Sequence, residues 1–253
     1  MNHNNLQENK IVPVFNYDYY SYFITELQKT HDFTSFSRVK YSRLHHLNKI
    51  LLRHDVDQSL SKALEMARIE KELGIISTYF LFLKSPFYNV FSQSAEKMIY
   101  DIISLDHNIG LHFDYNLNHA RTLSNVSYRI LEEVEIIQRY FGVKLDAVSF
   151  HRPLNIDLLQ KIELNSLPHT YESIFLNDFK YFSDSRGRWR FGDPLSSDDY
   201  KSGRDLHILI HPIWWNSENL TPKESIESFQ RDYFNNYKDN IHSELKGFWD
   251  EQD

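Results

Sequence analysis

Leu51-Leu52-Arg53-His54-Asp55-Val56-Asp57 is an apolar run that ends in a cluster of ionisable side chains. The run reads as a buried strand. Charge next to a buried strand is costly unless it is paired or binds a metal. The cluster therefore belongs at the strand's carboxyl end, where it opens into a cleft. The chain repeats the pattern in Ile109-Gly110-Leu111-His112-Phe113-Asp114, in Val148-Ser149-Phe150-His151-Arg152-Pro153 and in Ile208-Leu209-Ile210-His211-Pro212. Apolar runs that each end in His or Asp predict one shared site at one end of a barrel or sheet.

Helical patterns lie between these runs. Residues 17–29 read as a helix ahead of the first strand, like a lid or cap. Leu60, Ala63, Leu64 and Ala67 fall at i, i+3, i+4 and i+7, a helix ending near Gly74. Residues 76–83 are strand-like, 92–105 helical and 108–113 a strand. Ile130, Val134 and Ile137 mark a long helix ending near Gly142. A strand at 147–150, a short helix at 156–162 and weaker strands near 170–173 and 181–183 follow. The last strand is 206–211. Thr221-Pro222-Lys223-Glu224 starts a final helix that runs to about residue 245. Roughly seven strands alternating with helices predict an α/β fold, a parallel sheet with crossover connections that can close into a barrel. All strand carboxyl ends then share one rim. With no repeat and no linker, residues 1–253 read as a single catalytic domain with its core at 49–215.

A net charge of −7 argues against a nucleic-acid partner. The chain has no cysteine, so any metal must sit on His and carboxylates. No apolar run approaches the ~18 residues of a membrane span. The first ten residues lack a signal peptide's apolar core. A cytoplasmic protein is the expectation. Aromatics make up 15% of the chain, most of them expected in the core and a few as sugar-stacking platforms.

Alternation along a strand places Asp55 and Asp57 on one face. One of two such carboxylates can bind a metal while its neighbour acts as base on a water. Alternatively, Asp57 or Ser59 caps the helix starting at Leu60. His112 and Asp114 also share a face, and Gly110 before them lets a neighbour approach closely. His112 reads as a metal ligand or as a structural strand His. His107 and His119 look like surface positions. His151 is a candidate third ligand, and Arg152 can hold a carboxylate ionised or simply lead into a Pro turn. His211 is a candidate general acid, while His207 starts the same strand at its far end. Trp214 and Trp215 stack on sugars or pack in the core, and for one of them the core is expected. Asp184-Ser185-Arg186-Gly187-Arg188-Trp189-Arg190 lines a cleft or forms a solvated loop.

In this order, the pieces resemble the polysaccharide deacetylase family with NodB homology. Arg53-His54-Asp55-Val56-Asp57 resembles a divergent form of its Thr-Phe-Asp-Asp motif, with the metal Asp one residue later. Ser77-Thr78-Tyr79-Phe80 is similar to the next strand. Ile109-Gly110-Leu111-His112 resembles the second motif and Phe150-His151-Arg152-Pro153 the Arg-Pro motif. Asp184 with Trp189 echoes the Asp-x-x-Asp-Trp motif, and Leu209-Ile210-His211-Pro212 resembles the last. The resemblance spans residues 49–215 and implies an α/β fold, a distorted (β/α)7 barrel of parallel strands. One departure is Asn116, where the family has its second metal His.

The resemblance implies a metal-dependent hydrolase that removes an acyl group, an N-acetyl above all, from a sugar in bacterial surface-polysaccharide biosynthesis. It implies a divalent cofactor, with zinc favoured, on Asp57, His112 and His151, with Asp114 in reserve. Asp55 is then the base, Arg152 keeps Asp55 anionic and His211 is the acid. Asp184, Trp189 and Trp214 would contact the saccharide. The alternatives are an amidohydrolase on a non-carbohydrate amide and a catalytically silent sugar-binding protein.

Overall fold

The computed structural model describes residues 15–42, 48–115, 122–153 and 155–245. In chain order it runs α1 (Tyr17–Gln28), β1 (Asp32–Thr34), α2 (Phe36–Tyr41), β2 (Lys49–Val56), α3 (Leu60–Glu72) and β3 (Thr78–Leu81). Then come α4 (Gln93–Ser104), β4 (Asn108–Asp114), α5 (Leu123–Phe141), β5 (Val148–His151) and α6 (Ile156–Leu159). The chain continues with β6 (Lys180–Ser183), α7 (Asp198–Lys201), β7 (Leu206–Ile210) and α8 (Pro222–Glu244). Local signals set the helix ends. Ser59 accepts from the Lys62 amide at 3.3 Å and starts α3. Gly142, at φ 67°, ends α5 in the left-handed conformation that glycine adopts without strain. Thr221 and Glu224 form a reciprocal capping box at α8.

Every strand pairing is parallel, in the order β5-β4-β3-β2-β7-β6, with β1 beside the start of β2. Parallel neighbours need crossovers, which α3, α4 and α5 supply. The sheet curls into a half-barrel, matching the expected distorted (β/α) barrel. The register sets Asp55 opposite Phe80, His112 opposite Ser149 and Asp114 opposite His151. The ionisable ends of the four runs thereby reach one rim.

Strand β2 shows how side-chain alternation builds two environments. His54 faces outward to Glu70 of α3, in the layer where Ile50 and Leu52 join the helix-packed core. Leu51 faces inward with Phe36, Val39, Phe80, Ala147, Phe175 and Phe179, an apolar plug at the amino end. Asp146 holds that plug in place. It accepts from the Phe36 amide at 3.1 Å, the Ser37 amide at 2.9 Å and the Thr78 hydroxyl at 2.7 Å. Above the plug the interior turns polar, beginning with Arg53.

Three expectations need correction. Residues 170–173 form no strand. The only pairing there is an isolated bridge between Val148 and His169, followed by a π-helical turn at Ile174–Asp178. The seventh strand is β1, whose three residues are too short to show alternation. Helix α1 is not a lid: Tyr20, Phe23, Ile24 and Leu27 are buried in the outer core. No described helix is long and apolar enough to cross a membrane.

Candidate active site

Asp55 is buried at the carboxyl end of β2. Its Oδ2 lies 3.0 Å from Arg53 Nη2, and the Ser149 hydroxyl donates to Oδ1 at 3.3 Å. Arg53 and Asp55 are two apart on one strand, so alternation sends both inward. The Arg53 guanidinium lies 5.8 Å from the centre of the Phe80 ring. Phe80 fits because Gly110 has no side chain: a Cβ there would stand 2.4 Å from Phe80 Cδ1. A glycine on β4 therefore admits the ring that lies beneath the arginine holding Asp55.

Asp57 lies two residues further along. Its Oδ1 is 3.0 Å from His112 Nε2, yet that oxygen has no hydrogen-bond partner although it is buried. Burial alone would raise the Asp57 pKa, but the imidazoles of His112, His211 and His151 pull it down to about 2. Ser59 caps α3, which leaves the Asp57 side chain for the site. His112 Nδ1 is 2.6 Å from Ser149 Oγ, and His151 Nδ1 is 2.6 Å from Asp114 Oδ2. The two imidazoles lie 5.3 Å apart between ring centres, and Phe82 packs edge-on or tilted against both.

His211 follows β7 on the opposite side of the rim. Its amide donates to both oxygens of Asp184, and its Nδ1 is 2.6 Å from Asp184 Oδ1. Trp215 Nε1 donates to Asp184 Oδ2 at 2.9 Å. Burial would lower the His211 pKa, but Asp184, with Asp57 and Asp55 further off, raises it to about 9. The imidazole is therefore a cation at neutral pH, a proton donor in place.

These contacts permit a test of the metal expectation. Two ligands on one tetrahedral zinc sit about 3.3 Å apart for bonds of about 2.0–2.1 Å. The Asp57–His112 contact is close to that spacing, and the Asp57 oxygen is unpartnered. On both His112 and His151, Nδ1 is taken by a neighbour, the arrangement that leaves Nε2 for a metal. The donor set fits a divalent ion. Among the described residues, however, no three His, Asp or Glu side chains are grouped closely enough to hold an ion as placed.

Several sequence expectations change here. Arg152 is exposed with φ 50°, and the arginine on Asp55 is Arg53. Arg152 is the first residue beyond β5, out of step with the inward-facing Ser149 and His151. Asp184 does not line a substrate surface: it is fully buried and holds His211. Trp189 is 9% exposed and packs on Phe15, Phe23 and Trp215, so it belongs to the core. Of the tryptophan pair, Trp215 is fully buried, while Trp214 is half-buried and borders a surface groove. His107 is buried, its Nε2 2.9 Å from the Ala67 carbonyl. Asn116 and His119 lie outside the described residues. Sequence reasoning missed Ser149, which touches both Asp55 and His112. Its signal was its place two residues before His151 on the same strand.

No protein-family model matches this sequence, and no curated protein matches it. Solved structures do. A CE4 family pseudoenzyme from Bacillus anthracis aligns with TM-score 0.45 and 11% identity, over 76% of this chain and 63% of that one. A family 4 carbohydrate esterase from Bacillus anthracis gives TM-score 0.44 and 13% identity, over 85% of this chain and 86% of that one. The chitin deacetylase of the fungal pathogen Colletotrichum lindemuthianum gives 0.43 and 12%, over 73% and 81%. This chain spans 63–65% of the length of the first pseudoenzyme structures it matches. The structural neighbours of this divergent chain are CE4 carbohydrate esterases and peptidoglycan deacetylases, pseudoenzymes among them.

Proposed function

We propose that the rim deacylates a sugar, removing an N-acetyl group with the help of a divalent ion. One observation carries the reading. A buried carboxylate held by an arginine (Asp55), a carboxylate with an unpartnered oxygen (Asp57) and an imidazole raised to about 9 (His211) lie near enough for their charges to act on one another. Amide hydrolysis needs a proton acceptor for water, a place for an electrophile and a proton donor for the leaving amine.

Asp57, His112 and His151 would hold the ion, and two nitrogens with one oxygen suit zinc or a similar borderline metal. When bound, such an ion supplies Lewis acidity to a water and to the acyl oxygen. Asp55 accepts the water's proton. Arg53 and Ser149 orient Asp55, taking the role expected of Arg152. His211 donates its proton to the departing amine, and Asp184 stabilises the imidazolium and fixes which nitrogen faces the site. Asp114, 2.6 Å from His151 Nδ1, fixes which nitrogen of His151 faces the site. A place in surface-polysaccharide biosynthesis and a cytoplasmic location remain part of this proposal, supported by the sequence resemblance alone.

The test is release of free amine from a panel of N-acetylated sugars and small non-sugar amides, with zinc, cobalt, nickel or manganese supplied. Elemental analysis of the same samples accompanies it. Metal-dependent release from sugars, absent in Asp55→Asn, supports the reading. Release from non-sugar amides alone favours the amidohydrolase. Sugar binding without turnover under every metal favours a silent cleft.

A further inference from the structure

The sequence is acidic overall, yet the mouth of the candidate site carries bare cations. Arg53, Arg68, Arg129, Arg139 and Arg204 each sit in an ion pair. Arg152, Arg186 and Arg188 are exposed and in no ion pair among the described residues. Arg152 stands on the turn leaving β5 and the other two on the turn leaving β6, next to the residues that carry His151 and Asp184. The site's carboxylates face groups other than these arginines: Asp55 faces Arg53, Asp57 His112, Asp114 His151 and Asp184 His211. These arginines therefore have no internal counter-charge to satisfy.

Beside Arg186 and Arg188 runs a groove of about 570 Å³, lined by Arg186, Trp214, Pro222, Ile226, Gln230 and the Lys223–Glu227 pair, whose charges lie 3.6 Å apart and offset one another. That size falls in the range of small-ligand sites. The groove begins one turn from His211, whose carbonyl accepts from the Trp214 amide at 3.1 Å. The turn is held against α8 at Gly187, where a Cβ would stand 2.6 Å from Pro222 Cγ and where φ is 69°. A side chain at 187 would push the turn, and Arg186 with it, off the groove.

We infer that this groove binds a phosphate group carried by the saccharide substrate, with Arg186 in its wall and Arg188 on the same turn. The proposal rests on the sugar-deacylating reading of the rim. Planar guanidinium groups meet phosphate oxygens in pairs, which makes arginine the usual choice for that anion. The apolar floor of Trp214, Pro222 and Ile226 suits the C–H face of a sugar ring. A uronic-acid carboxylate bears a single charge, which one guanidinium would already neutralise.

Isothermal titration of the full chain with N-acetylglucosamine 1-phosphate, N-acetylglucosamine and glucuronic acid tests this. The phosphate is expected to bind about tenfold or more tighter than the neutral sugar at low salt, an advantage that shrinks at about 0.2 M salt. Arg186→Gln combined with Arg188→Gln removes most of that advantage and leaves the neutral sugar's affinity unchanged. Arg231→Gln, on the exposed part of α8, changes nothing. Equal affinity for the phosphorylated and neutral sugars overturns the proposal. So does no phosphate binding at millimolar concentration, equally tight glucuronic acid, or an advantage that survives the double substitution. Binding is read without turnover. A phosphate preference without hydrolysis therefore sinks the reaction but keeps this site, and hydrolysis without the preference does the reverse.

Discussion

Strand β2 carries two carboxylate–imidazole clusters back to back, and they are built to opposite ends. On the outer face, Glu70 is completely buried and completely satisfied. Its Oε1 is 2.6 Å from His54 Nε2 and accepts from the Tyr20 hydroxyl. Its Oε2 accepts from Ser77 at 2.5 Å and Tyr79 at 2.9 Å. On the inner face, 12% of the Asp57 side chain is exposed, and its buried Oδ1 has no hydrogen-bond partner. The same residue types thus serve different ends. Under helices α1 and α3 both Glu70 oxygens are partnered and lock strand to helix, although His54 Nδ1 there has no partner; at the rim it is a carboxylate oxygen, Asp57 Oδ1, that is left open to something not part of the chain.

The sharpest way to break this contrast is to remove one charge from each face. Glu70→Gln takes one member out of a sealed network and should cost about 3–5 kcal/mol, read by urea unfolding. Asp57→Asn gives up one 3.0 Å contact with His112 at a partly exposed position and should cost less, about 1–2 kcal/mol. Comparable losses in both would erase the distinction between the faces.

Acidity sharpens it next. Burial would raise the Glu70 pKa, but His54, His107 and Ser77 lower it to about 2 from an ordinary 4.5. A carboxylate whose folded pKa is depressed stabilises the fold above its unfolded pKa and loses that contribution as pH falls through the folded value. Stability should therefore decline between about pH 4.5 and 2. Glu70→Gln should flatten that part of the decline. An unchanged acid limb would mean that other carboxylates carry it.

On the inner face the effects are on rate. Asp55→Asn should lower turnover about 10²–10⁴-fold with the fold intact, as expected for loss of a general base. Circular dichroism and amine release measured on one sample separate the two. His211, raised to about 9, keeps its proton through neutral pH, so an alkaline limb near pH 9 should appear in the parent rate profile. That limb should vanish in His211→Gln.

Further stability effects, large and small, follow from the support beneath Asp55. Gly110→Ala drives a methyl into the Phe80 ring and should cost about 1–3 kcal/mol by overpacking. Arg53→Met should be strongly destabilising because it strands the buried Asp55. Arg152→Met should move stability by no more than about 0.5 kcal/mol, as a surface substitution does. An Arg152 variant as damaging as the Arg53 one would restore the role that the sequence suggested for it.

Much of the architecture was legible in the chain. Alternation in Leu51–Asp57 predicted which side chains share a face, and Thr221 with Glu224 predicted the start of α8. Those signals are local, and local geometry is what period and capping report. The half-barrel was legible because strands alternating with helices leave few other packings. The strand at 32–34 was not, since three residues carry no period. Nor was the sealing of His54 and His107, because burial depends on what a distant helix covers.

The sequence by itself determined that Asp55, Asp57, His112, His151 and His211 end parallel strands, because apolar runs must be buried and charges must leave them at the exit. Only the tertiary structure decided what each of them touches. Which arginine reaches Asp55, Arg53 or Arg152, depends on strand ends about 100 residues apart in the chain. The outcome follows from inward alternation on β2 and from the space left by Gly110 for Phe80. Whether Asp184 faces a substrate or His211 likewise turns on the register of β6 against β7. Hydrogen bonds act over about 3 Å. Sequence spacing shows which groups can arrive at the rim, and folding alone brings chosen pairs within that distance.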